Sequence, residues 1–152
     1  MLKINVIVED INWLRFLNNP NIYLKQKIKK IQNDKFFKKK NYSFSIKLSD
    51  EKEIKLLNKK FRKKNKSTDI LSFPQQSKKK LKKISTLTQE IYLGDIIINF
   101  KKMTTSSKIL FKNHLKILLV HGLVHLFGYD HKKESSYKKM HLIENRLLKK
   151  IK

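Results

Sequence analysis

The stretch from His121 to His131, His-Gly-Leu-Val-His-Leu-Phe-Gly-Tyr-Asp-His, limits what this chain can become more than any other. His121 and His125 are four apart in an apolar run that reads as helix, so both rings leave one face a turn apart. Two imidazoles placed so can meet one cation at ~2.0–2.1 Å each. A third ligand further along the same straight helix could not converge on that cation. Gly128 resolves this, because glycine alone takes positive φ without steric cost, letting the chain turn and return His131. Three histidines with a fourth position open form a catalytic zinc pattern, whereas structural zinc sites are closed by four protein ligands. There is no Cys, so thiolate ligands and disulfide partners are excluded, and a cytoplasmic location is expected.

This segment resembles the zinc helix of metzincin proteases with one departure. Those enzymes carry Glu beside the first histidine as general base. Here that place is Gly122, so a peptidase reading loses its base while the metal site survives. His114, two turns before His121, reads as a plain helix histidine rather than a support for the ligands. His141 reads as a surface residue.

Leu2 to Val8 and Tyr42 to Leu48 have the β-branched or alternating pattern of strands. Pro20 opens a helix through Ile22, Leu24, Ile28 and Ile31, and Asp50 caps another through Ile54, Leu57 and Phe61. Ile70 to Phe73 is a strand stopped by Pro74. Gln75 to Glu90, polar and Lys-rich, reads as a mobile loop. Ile91 to Ile98 is apolar enough for a central strand covered on both faces. Ser106 or a neighbour caps a long helix to Phe127. A last helix, from about Glu134 to Lys149, puts Met140, Ile143, Leu147 and Leu148 on one side. The expectation is a single α+β domain over residues 1–152, a small mixed β-sheet packed with helices and a metzincin-like zinc helix.

Lys+Arg number 37 against 12 Asp+Glu, a formal net charge of +25. Such an excess points to a polyanionic partner, with RNA, DNA or an anionic membrane as candidates. The same Lys-, Asn-, Ile- and Phe-rich composition arises by drift in an AT-rich genome, so charge alone does not fix the partner. No signal-peptide pattern opens the sequence, and no apolar run reaches the ~18–20 residues of a membrane span, so no membrane association is expected.

Arg62 stands at a helix end just before a strand, where its bidentate fork can reach a phosphate. Together with Leu57 to Pro74 and Leu93-Gly94-Asp95-Ile96, the histidine segment resembles the YbeY family of bacterial metal-dependent endoribonucleases. The resemblance covers about Ile46 to Leu148. It implies a zinc-dependent endoribonuclease acting on single-stranded RNA. It further implies roles in ribosomal RNA processing, at the 3′ end of 16S rRNA, and in ribosome quality control, with ribosomal subunits as partners. By the same resemblance His121, His125 and His131 bind one Zn²⁺ per chain, and Arg62 is the functional arginine. Asn65 and Ser67 stand where the family usually has Asp and Pro. Lys132 and Lys133 replace acidic residues after the last histidine.

The mechanism expected is metal-assisted phosphodiester hydrolysis, with Arg62 offsetting transition-state charge and lysines holding the backbone. The 2′-hydroxyl is an alternative nucleophile to water. Phe127 and Tyr129 read as core residues before base-stacking ones. Charge near Lys132 and Lys133 is expected to matter more than charge in the Lys78 to Lys80 loop. Two rival readings differ in class. A fourth protein ligand would indicate a basic ribosome-associated binding protein with structural zinc. A carboxylate over the open metal position would indicate a metallopeptidase-like amide hydrolase.

Overall fold

Alternating apolar and polar residues give β1 (Leu2–Val8) and β2 (Tyr42–Ser49) one inward face each. With β3 (Ile70–Pro74) and β4 (Ile91–Asn99) they form one sheet in the order β1-β2-β4-β3. β1, β2 and β4 run parallel and β3 runs antiparallel to β4, so the sheet is mixed, as the sequence predicts. These features belong to a computed structural model that describes residues 1–84, 89–103 and 105–152.

Successive residues of β4 point to opposite faces, and this divides the core. Ile96 and Ile98 face the main core beneath α1 (Pro20–Ile31), α4 (Lys108–Leu126) and α5 (Glu134–Ile151). Ile97 faces a small cluster with Leu71 and Ile54, the latter from α2 (Glu51–Arg62). The predicted caps form: Asp50 and Ser107, the neighbour of Ser106, each accept an amide of the first turn of α2 and α4, and Asn19 does the same for α1.

Three expectations need correction. β4 is central but only partly covered on its second face, because α2 reaches Ile97 and leaves Tyr92 and Asp95 exposed. Pro74 does not stop β3 short; it pairs with Gly94 as the last residue of an edge strand, where its missing N–H is tolerated. The predicted 75–90 loop contains a short helix, α3 (Lys78–Lys83), capped by Ser77 and anchored by buried Leu81; residues 85–88 lie outside the described residues.

No periodic pattern announces the 3₁₀ turn Ile11–Arg15, which buries Trp13 completely. The indole Nε1 donates to the Ser49 carbonyl at 3.1 Å. By length and hydropathy alone the 19 residues of α4 could cross a bilayer. Here they form the core helix instead. A methyl group on Gly122 would lie 2.9 Å from Ile96 Cδ1 and 3.0 Å from Ile70 Cδ1, so α4 presses directly on the sheet.

Candidate metal centre

The last two turns of α4 carry His121 and His125, and the turn after it carries His131. Phe127 closes the helix and Gly128 follows at φ +79°. Space as well as φ requires glycine there, since a Cβ would stand 2.7 Å from Cβ of Lys78 at the start of α3. The returning chain brings ligand nitrogens of the three histidines within 4.8 Å of one another. Nε2 of His121 and Nε2 of His125 are 3.0 Å apart. His131 stands beside both, with ring centroids 5.7 and 5.2 Å away.

The outward nitrogens fix the tautomers. His125 Nδ1 lies 2.8 Å from the Tyr129 carbonyl oxygen. A carbonyl only accepts, so this nitrogen carries the proton. His121 Nδ1 lies 2.8 Å from Glu144 Oε1 and donates to that carboxylate. With both rings neutral, as ligation requires, the inner Nε2 atoms present lone pairs to the same point. Two facing lone pairs repel, and a cation between them removes the conflict. A tetrahedral ion with ~2.0–2.1 Å bonds wants its nitrogens roughly 3.3 Å apart, close to what is seen. Burial, then the adjacent His121, push the His125 imidazole down to about 4, so it is neutral and ligand-competent at pH 7. The donor set fits a divalent transition metal. Among the described residues the cluster holds three histidines and no fourth protein ligand.

The histidines open into a cleft of about 770 Å³ between α4, the 129–132 turn and the chain entering β3. A larger groove of about 1170 Å³, by Asp10, Asp50 and Phe100, contains none of them, so chemistry and not size identifies the site. Arg62, last residue of α2, lines the histidine cleft, and its Nη2 donates to the Ser72 carbonyl at 3.3 Å. That bond occupies one of five guanidinium donors, and Arg62 makes no ion pair among the described residues. Sequence reasoning thus named four residues, and the structure places all four in one cleft. The loop after Arg62 is tied down by buried asparagines. Asn58 donates to the Lys66 carbonyl at 2.8 Å, and Asn99 to Ser67 Oγ at 2.9 Å and the Thr68 carbonyl at 3.1 Å.

Gly122 explains the missing base. Its α-carbon faces Ile70 and Ile96, so a Glu there would run into the sheet. Asp69 and Asp130 also line the cleft, but neither belongs to the histidine cluster. His114 stays outside the cluster as well, and His141 is exposed, as expected. Phe127 is a core residue, packed on Phe36, Phe37 and Tyr42. Tyr129 is half-buried and lines the cleft, with Lys78 Nζ 3.5 Å from its ring centroid. Lys78 is therefore not a remote loop charge, whereas Lys79 and Lys80 are exposed.

Glu144 is the functional residue that local sequence reasoning misses. A signal is present: it falls between Met140 and Leu147 on the buried stripe of α5, in a chain with only 12 acidic residues.

Comparison with known proteins gives one consistent picture. The family model described as Endoribonuclease YbeY matches residues 17–152. A protein of that name from Pelagibacter ubique is 37% identical over 155 residues, covering 100% of this chain and 97% of its own length. One from Aquifex aeolicus is 35% identical over 144 residues, covering 86% and 91%. The solution structure of a Thermotoga maritima protein aligns with a TM-score of 0.54 at 22% identity, over 99% of this chain and 89% of that one, and supports the fold.

Proposed function

This chain belongs to the endoribonuclease YbeY family, and from that premise we propose that its three-histidine cleft cleaves single-stranded RNA with one bound Zn²⁺. Nuclease activity, a hydrolysis of RNA phosphodiester bonds, is what membership carries. The ligand set, the ion and the role of Arg62 are our reading of the site. The observation that carries it is the pair of Nε2 lone pairs 3.0 Å apart, held inward by donors spent on Glu144 and the Tyr129 carbonyl.

When bound, the ion supplies Lewis acidity toward water and a phosphoryl oxygen. The protein does the rest. Glu144 keeps the His121 ring oriented and raises its basicity, as carboxylate partners of ligating histidines do. The Tyr129 carbonyl does the same for His125. Arg62, anchored to β3 through Ser72, offers its remaining donors to the phosphate as charge develops there. Burial of Gly122 against the sheet leaves no seat for a peptidase base beside His121. The open fourth position argues against zinc in a purely structural role.

The substrate we propose is ribosomal RNA, with the 3′ end of 16S rRNA as processing site, a part in ribosome quality control, and a cytoplasmic location. The family match and the strong positive charge support this. The test is cleavage of a labelled single-stranded RNA with and without chelator, followed by zinc or nickel restoration. Cleavage that survives complete metal removal would sink the reading.

A further inference from the structure

Tyr129 is a wall shared by two cavities. On one side is the histidine cleft; on the other is a pocket of about 260 Å³. Its floor is apolar and aromatic, with Phe36, Tyr42 and Phe127, and its rim carries Lys35, Lys38, Lys78 and Lys82. These four lysines form no ion pair with a carboxylate among the described residues. Arg146, also at the rim, is already bound to Asp34.

Two backbone features shape that rim. After the 3₁₀ turn Lys35–Phe37, Lys38 and Lys39 both take left-handed conformations, at φ 49° and 55°. Each costs roughly 1–2 kcal/mol in a residue with a Cβ. On the opposite side, the start of α3 is pinned against Gly128, which sets Lys78 over Tyr129. Burial, then Lys82 and Lys139, push the Lys78 ammonium down from its ordinary range. Asp130 offsets part of the charge on Lys78, and the rim stays a net positive field.

A phosphate would relieve that field, and a base has an aromatic floor to lie on, the combination that binds single-stranded nucleic acid. A volume of about 260 Å³ is at or below the low end of ligand pockets, ~300–1,000 Å³, and suits one nucleotide. The neighbouring cleft, about 770 Å³, is wide enough for the cleaved linkage and its two nucleosides. We propose that the pocket behind Tyr129 is a further subsite for the same RNA strand. It takes the next nucleotide along, its phosphate held by Lys78, Lys82, Lys35 and Lys38 and its base laid on Phe36. This rests on the reading of the cleft as an RNA-cleaving site.

Steady-state cleavage of an octanucleotide and of a dinucleotide with the same linkage tests it. The variants are Lys35→Glu/Lys82→Glu, the milder Lys35→Gln/Lys82→Gln, and Lys25→Glu/Lys29→Glu on the exposed face of α1 as control for net charge. Metal content and circular dichroism establish that each is folded. Both rim variants should lower kcat/KM on the octanucleotide, the reversal by on the order of tenfold through KM, and change the dinucleotide by less than about twofold. The slope of log KM against log salt should shrink by up to ~0.7, the share of the one phosphate held in the pocket. Equal losses on both substrates, or losses no greater than in the α1 control, would overturn the subsite while leaving the cleft chemistry intact. A wild-type protein that cleaves neither substrate would overturn both.

Discussion

Helix α5 carries two polar clusters a short distance apart, and they are completed differently. Toward its C-terminus Arg146 and Lys150 close on buried Asp34, at 3.1 and 2.7 Å. Burial alone would raise that carboxyl, but bonds from Lys150, the Phe36 amide and Arg146 hold it at about 2. Every charge there has a protein partner. Just before Arg146, Glu144 accepts a hydrogen bond from His121 Nδ1, while the inner nitrogens of His121 and His125 face each other 3.0 Å apart. The first cluster is finished by the fold and joins α5 to the chain after α1. The second is left for a cation to finish. Stability and function are thus carried on one helix by groups that can be perturbed separately.

The largest separation is expected at Arg62. Arg62→Glu should leave metal content and unfolding midpoint as in wild type while lowering RNA cleavage by ~10²–10³ or more, because a carboxylate there repels the phosphate. Unchanged turnover would reduce Arg62 to a surface charge.

Acid titration sharpens the contrast further. His125 has its pKa lowered from 6.5 to about 4. Its neutral form is favoured by the fold, so the associated stability is present above pH ~6.5 and lost as pH falls through ~4. Asp34 is lowered from 3.8 to about 2, so its contribution is present above pH ~4 and lost as pH falls through ~2. The metal-free protein should therefore lose stability in two stages, on the order of 3 and then 2 kcal/mol. Saturating zinc should move only the first stage to lower pH. Denaturant melts across pH 2–8 measure this, and a single stage indifferent to zinc would contradict it.

Asp34→Asn should cost about 2 kcal/mol. That is below the ~3–5 kcal/mol of a fully buried pair, because the Arg146 and Lys150 side chains keep 35% and 46% exposure. Zinc affinity should stay within about twofold, and a larger fall would show that the two clusters are not separable. Conversely, Glu144→Gln should weaken zinc binding ~10–100-fold with little effect on the metal-free melt. Activity should return at saturating zinc, since Glu144 orients a ligand and does not touch the substrate.

Much of the metal centre is legible in the amino-acid order alone. The His121–Gly128–His131 segment encodes a face, a turn and a return, all local, so its geometry follows from helix pitch and glycine φ. The four strands and the capped helices follow equally from short-range pattern. What is illegible depends on distant pairs. Glu144 meets His121 across 23 residues and Trp13 meets Ser49 across 36, and neither contact leaves a trace in a local window. The 75–90 stretch misleads because its lysines hide the single apolar anchor, Leu81, that docks α3. Full coverage of β4 is overestimated because an apolar run does not show how far one short helix, α2, extends over a sheet.

The central claim is that three histidines hold one ion, and zinc titration of metal-free protein tests it directly. Wild type should bind one zinc per chain, with proton release as pH falls toward about 4, where His125 must deprotonate to bind. His125→Ala should bind none at the same concentrations and should lose RNA cleavage without unfolding. Full zinc occupancy in His125→Ala would contradict the ligand set.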